Sequence, residues 1–258
     1  MYAVQAQGVD GTLPPLESVD EMAQLYLAAI REKQPHGPYW LCGYSFGGLL
    51  AIEVARRLRG AGEQIGMLFL IDSYAHPVTW PRISLLKVRA RRAVNQFHSR
   101  LRKPWRESVR IVFGPAGLER VKSRCERADT ELPPELRKRS WLLRTKPDLP
   151  LPLLQTRLAT ELALSRYRPR YYDGDALFLK ARRPDPHFPT DPQRVWGKLI
   201  RCLKVQACEG SHLTLVSERA AEVAAHINAC VQESRRAAAP KDAVTKAAFR
   251  LVPSAGPV

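Results

Sequence analysis

Two compact apolar runs, Tyr39–Tyr44 (YWLCGY) and Ile65–Ile71 (IGMLFLI), enclose a stretch of helical pattern over Phe46–Gly60, with Gly62 as its stop. Each run is short and apolar at consecutive positions, the pattern of a strand buried on both faces. A buried strand, a helix and a second buried strand require a parallel pair joined by a crossover. That unit commits the chain to an α/β architecture, a mostly parallel sheet flanked by helices. Upstream, residues 2–6 (YAVQA) are a β-like run, and Ser18 stands three residues before Glu21, a capping-box spacing. Met22, Leu25, Tyr26, Ala29 and Ile30 recur at helical spacing, so a helix is expected over 19–34, ended by Pro35 and Gly37. Strand pattern returns at 176–181 (ALFLKA). A proline-rich loop follows, then an expected helix over 194–202, a short strand over 203–207 and a last helix over 216–234.

Between the second and third strands the chain changes character. Residues 75–165 hold 20 Lys/Arg against 8 Asp/Glu and nine prolines, with helical pattern and no buried-strand run. The flanking segments are close to balance, 5 against 8 over residues 1–74 and 11 against 8 over residues 166–234. The excess that makes the net charge +16 therefore sits in this insert and in the C-terminal tail. The expectation is a single domain over 1–235, with a core of 1–74 and 166–235, a helical lid at 75–165, and a basic, disordered tail at 236–258. No run of 18 apolar residues suggests a membrane span, and no basic-then-apolar leader opens the sequence. The five cysteines are odd in number and form no CxxC pair. They read as reduced thiols of a cytoplasmic protein, with no metal site expected.

Gly43-Tyr44-Ser45-Phe46-Gly47 lies where the first strand meets its helix, and it fits the nucleophile-elbow pattern G-x-S-x-G. A serine there sits on a sharp turn that exposes its hydroxyl. The amide of Phe46, at the start of the helix, is a candidate oxyanion donor. A serine nucleophile needs a base, and the base needs an orienting carboxylate. His212, in a Gly-Ser-His loop after the last strand, is the favoured base; His187, in the proline-rich loop, is the alternative. Asp72 follows the second strand and Asp185 follows the third, and spacing alone leaves the two even as the acid. The chain order Ser, acid, His is that of α/β-hydrolases, with Ser45 first and His212 last.

The chain resembles the thioesterase domain of nonribosomal peptide synthetases and polyketide synthases. The residues that carry the likeness are YAVQAQGVDG, the PHGPY that follows the first helix, GYSFGGLLAIEVARRL and FLIDS. Later matches are Tyr167-Arg168-Pro169, Tyr172-Asp173-Gly174, Trp196 and the His212 loop. The resemblance implies an α/β-hydrolase fold with a helical lid, and it implies Asp72 over Asp185 as the acid. It implies release of an acyl or peptidyl chain, by hydrolysis or macrocyclisation, from the phosphopantetheine arm of a carrier protein, with no cofactor of its own. It also implies two strands and a His-Pro-x-Gly-Gly turn with a second oxyanion donor ahead of residue 1; a shortened N-terminus is expected.

Three other readings compete. One is a general carboxylesterase of the same fold. Another is a non-catalytic protein that binds an acyl chain or a carrier on this scaffold. The third, nucleic-acid binding, rests on charge alone, without a recognised motif. The basic insert fits better as a surface that steers an acidic carrier, with Arg89, Arg91 and Arg92 as its expected patch.

Overall fold

The computed structural model describes residues 2–102 and 149–238. In chain order these form α1 (Val19–Lys33), β1 (Tyr39–Tyr44), α2 (Phe46–Gly60), β2 (Ile65–Ile71), α3 (Arg82–Arg102), α4 (Leu151–Arg166), β3 (Tyr172–Ala181), α5 (Pro192–Trp196), β4 (Ile200–Cys208) and α6 (Ala220–Ala238). Single 3₁₀ turns stand at Pro77–Thr79 and Thr214–Val216. The four strands form one sheet in sequence order, β1-β2-β3-β4, and every described pair is parallel.

The continuous apolar runs of β1, β2 and β3 are explained by helices on both faces of the sheet. Leu68 and Leu70 of β2, with Ala176 and Phe178 of β3, join Leu49, Ile52 and Ala55 of α2 in one core cluster. Met22 of α1, Val88 of α3, Ala163 of α4 and Trp196 of α5 belong to the same side. The alternate residues Phe69, Ile71, Leu177 and Leu179 face the other way, onto Val223, Ile227 and Val231 of α6.

A buried carboxylate ties the first layer together. Glu53 of α2 is fully buried and accepts hydrogen bonds from Arg56 at 2.8 and 3.1 Å, Arg57 at 2.8 Å, Arg170 at 3.0 Å and the Tyr167 hydroxyl at 3.2 Å. Arg57 and Arg170 also reach Asp20 on α1. Burial pushes the Glu53 carboxyl up, but the arginine hydrogen bonds outweigh it and its pKa falls below the usual glutamate value.

Several elements differ from the sequence reading. Residues 2–6 form no strand and pair with none of the described strands. The helix expected over 194–202 is only α5, capped by the Asp191 carboxylate on the Gln193 N–H and stopped at Gly197. The chain is already a strand at Ile200, so β4 is longer than expected. The last helix begins at Ala220, not 216, and runs to Ala238, two residues beyond the start of the expected tail. The remainder of that tail, 239–258, and residues 103–148 of the expected lid lie outside the described residues; the described lid portions α3 and α4 are helical. No helix among the described residues is long and apolar enough to cross a membrane.

Candidate active site

Ser45 joins β1 to α2. Its φ of 52° and ψ of −120° are strained for a residue with a side chain. The turn is held by Ser45 N–H donating to the Ile71 carbonyl at 3.0 Å. Two glycines make the turn possible. A Cβ on Gly43 would lie 2.2 Å from the Gly47 carbonyl oxygen, and a Cβ on Gly48 would lie 2.2 Å from the Ser73 hydroxyl. Gly47, the last residue of the five-residue motif, meets nothing within 4 Å. The steric demand on the helix side therefore falls on Gly48, one residue beyond the motif.

Serine is among the best N-cap residues, yet Ser45 does not cap α2 with its side chain. Its Oγ lies 3.1 Å from Nε2 of His212 instead. Nδ1 of the same ring is 2.9 Å from Oδ2 of Asp72. The Asp72 carboxylate can only accept, so Nδ1 carries the proton and Nε2 is free to take one from Ser45. The Phe46 amide, first in α2, has no intrahelical carbonyl to bond and stands at the positive end of the helix dipole.

Asp72 follows β2 and also has positive φ, 43°. Its N–H donates to the Leu179 carbonyl at 2.9 Å, and its Oδ1 accepts from the Ala181 N–H at 3.3 Å. The next residue, Ser73, is fully buried; its carbonyl accepts from the indole N–H of Trp196 at 2.9 Å. The Ser73 Oγ finds no hydrogen-bond partner among the described residues. The acid is thus locked by β3 on one side and by Trp196 on the other.

The structure brings Ser45, His212 and Asp72 together, with Phe46 beside them. It does not bring in the alternatives the same way. Asp185 spends an oxygen on the backbone N–H of His187 at 2.6 Å, and His187 is exposed. Around His212 stand two rings that sequence reasoning passed over. Tyr44 stacks on it at 4.8 Å with 28° between planes, and Phe188 lies tilted at 5.0 Å. Burial, and then the charges of Asp72 and Asp185, hold the Tyr44 phenol above its usual pKa, so it remains a donor. Phe188 sits in the proline-rich loop, and no periodic signal could have placed it.

Of the expected steering patch, Arg89 is exposed on α3. Arg91 donates to the Phe188 carbonyl at 2.9 Å and Arg92 to the His187 carbonyl at 3.3 Å, so both anchor the loop beside His212. Away from the site, Cys208, Glu222 and His226 each offer a ligand atom within 4.8 Å of the others. They are the side chains among the described residues that could hold a metal ion. One carboxylate oxygen of Glu222 already accepts the Glu209 N–H at 3.0 Å.

Residues 1–102 match the family model described as the thioesterase domain. Over 75 residues the chain is 45% identical to an inactive atromentin synthetase of Paxillus involutus, covering 29% of this chain and 8% of that protein. Over 81 residues it is 44% identical to enterobactin synthase component F of Escherichia coli K12, covering 31% of this chain and 6% of that protein. The chain thus spans under a tenth of the length of these curated relatives. Among solved structures, a four-domain nonribosomal peptide synthetase aligns with a TM-score of 0.51 at 23% identity, over 97% of this chain and 17% of that one. A type II thioesterase from the borrelidin biosynthetic cluster aligns with a TM-score of 0.50 at 22% identity, over 88% of this chain and 78% of that one. The resemblance read from the sequence is borne out, and the fold is that of the α/β-hydrolases.

Proposed function

We propose that this chain, which carries the thioesterase-domain pattern over residues 1–102, releases an acyl or peptidyl group from a carrier protein by serine catalysis. The observation that supports the reading most is the unbroken line Asp72–His212–Ser45, at 2.9 and 3.1 Å, on a strained strand-to-helix turn. Ser45 Oγ attacks the thioester carbonyl carbon as its proton passes to His212 Nε2. The carbonyl electrons move to oxygen, and the resulting oxyanion faces the Phe46 N–H and the start of α2. Asp72 stabilises the imidazolium through Nδ1 without taking its proton. The C–S bond then breaks, and Nε2 returns its proton to the departing thiol. Water, or a nucleophile within the acyl chain, attacks the Ser45 ester by the same route in reverse. The product is an acid or a ring.

The phosphopantetheine arm arrives on the carrier as part of the substrate, so the reaction needs no resident cofactor. An acidic carrier docking near α3 would meet Arg89, with Arg91 and Arg92 already tied to the loop at 187–188. The four described cysteines are free thiols, which fits a reducing cytoplasm. The test is turnover of an acyl-N-acetylcysteamine thioester and of an acylated carrier, each by wild type and by Ser45→Ala. Thiol release that depends on Ser45 and is faster on the carrier supports the reading. Release from simple esters but from neither thioester points to a carboxylesterase. Carrier binding without any turnover points to a binding protein.

A further inference from the structure

We propose that Tyr44 is a positioning residue for His212, holding the imidazole on the face of its ring and the histidine backbone through its hydroxyl. The inference rests on the catalytic reading above. His212 lies in a loop between Gly210, at φ 109°, and the 3₁₀ turn at Thr214–Val216. His212 itself lies in neither a strand nor a helix; the turn around it is held by the Leu215 N–H on the Ser211 carbonyl at 3.1 Å and the Ser211 N–H on the Thr214 hydroxyl at 2.7 Å. Yet a general base must keep Nε2 on Ser45 and Nδ1 on Asp72 together, and a ring that swings loses both.

Those turn bonds hold the backbone on either side, and Tyr44 holds His212 itself in two ways. Its hydroxyl donates to the His212 carbonyl at 2.9 Å, and its ring stacks on the imidazole at 4.8 Å. The ring is itself seated on the cluster of Phe69, Ile71 and Leu179, between the sheet and α6. Phe188 closes the imidazole from another side at 5.0 Å. Tyr44 is also the residue before the nucleophile in the chain. The side chain that supports the base and the nucleophile are therefore neighbours in the chain, so the stacking and hydrogen-bond contacts of Tyr44 set His212 relative to Ser45. The electron-rich ring face further favours the imidazolium that forms as the proton leaves Ser45. The elbow pattern leaves this position open to any residue; here it is occupied by a side chain that touches the base at two points.

The experiment compares Tyr44→Phe, which keeps the ring, with Tyr44→Leu, which removes it, in the full chain. Acyl-thioester kinetics are read beside thermal melting and the low-field proton resonance of His212 Nδ1–H. The expected result is a kcat loss of about 10- to 100-fold for Tyr44→Leu with KM within about twofold. Tyr44→Phe should retain most of kcat, and the low-field signal should persist in Phe and vanish in Leu. Tyr44→Met, unbranched and more adaptable in packing, replaces Leu if that variant does not fold. A folded ring-less variant with wild-type kcat and signal overturns the proposal, as does a loss confined to KM. If wild-type turnover itself does not depend on Ser45, the catalytic reading fails instead, and the two failures are told apart by that control.

Discussion

Gly47→Ala and Gly48→Ala make the same chemical change at adjacent positions of α2, and the structure predicts opposite effects on stability. In a helix, alanine is favoured over glycine by about 0.8–1 kcal/mol. At Gly47 a Cβ meets nothing within 4 Å, so up to that amount should be gained. At Gly48 the new Cβ would lie 2.2 Å from Ser73 Oγ and 2.4 Å from Ser73 Cβ. Ser73 is fully buried and its carbonyl is pinned by Trp196, so the contact cannot be relieved by swinging a free side chain outward. Overpacking costs about 1–3 kcal/mol, and an approach of 2.2 Å to a pinned group belongs in the upper part of that range, about 2–3 kcal/mol, beyond the helical gain. The net loss of about 1–2 kcal/mol should lower Tm by about 2–8 °C. Moving Ser73 also moves Asp72, so Ser45 labelling by a fluorophosphonate should slow by about tenfold or more. The assay is a thermal melt of each variant with the labelling rate. Ser73→Gly removes both clashing atoms and should restore much of the loss in the Gly48→Ala background. A Gly48→Ala protein as stable as wild type, or no recovery in the double variant, would refute the steric argument.

Three further outcomes follow from the same contacts. Trp196→Phe keeps one six-membered ring but removes the indole N–H from the Ser73 carbonyl and leaves a gap in a fully buried site, which should cost at least about 1–3 kcal/mol in a denaturant melt. Asp72→Asn should cut kcat by about 10⁴-fold in the thioester assay while circular dichroism stays native, because the amide no longer selects the Nδ1–H tautomer. Glu53 has a folded-state pKa below its unfolded value, so its stabilisation is complete above the ordinary glutamate range, near 4.3, and is lost as pH falls through the lower folded value. In melts recorded from pH 6 to 2, Glu53→Gln should be less stable than wild type near neutrality, by about 1–3 kcal/mol, and should lose less on acidification.

The parts legible in the sequence were those whose neighbours are local. β1, α2 and β2 have the expected bounds, because two unbroken apolar runs and Gly62 mark their ends. β3 was read only from Ala176, since Asp173, Gly174 and Asp175 look like a turn. In the sheet they alternate, with Tyr172, Gly174 and Ala176 buried while Asp173 and Asp175 face water. β4 was misread at its start because, paired only with β3 among the described strands, it exposes residues on both faces and carries little periodic signal.

The acid was undecidable from spacing, since Asp72 and Asp185 each follow a strand. The sheet order supplies what spacing cannot. Tyr44 lies opposite Ile71, so the residue after Ile71 stands beside Ser45, whereas Asp185 lies four residues beyond the end of β3. Tyr44, Phe188, Trp196 and Gly48 act through contacts between distant segments. Trp196 and Gly48 entered the sequence reading only as part of the resemblance, without a role of their own.

The central claim is that Asp72, His212 and Ser45 work as one nucleophilic unit, and covalent labelling by a fluorophosphonate, read by intact mass, tests it most directly. The account predicts a single adduct on the wild-type chain, mapped to Ser45, absent in Ser45→Ala and slowed by orders of magnitude in His212→Ala and Asp72→Asn. A folded wild-type chain that takes no adduct, or an adduct that survives Ser45→Ala, would contradict it.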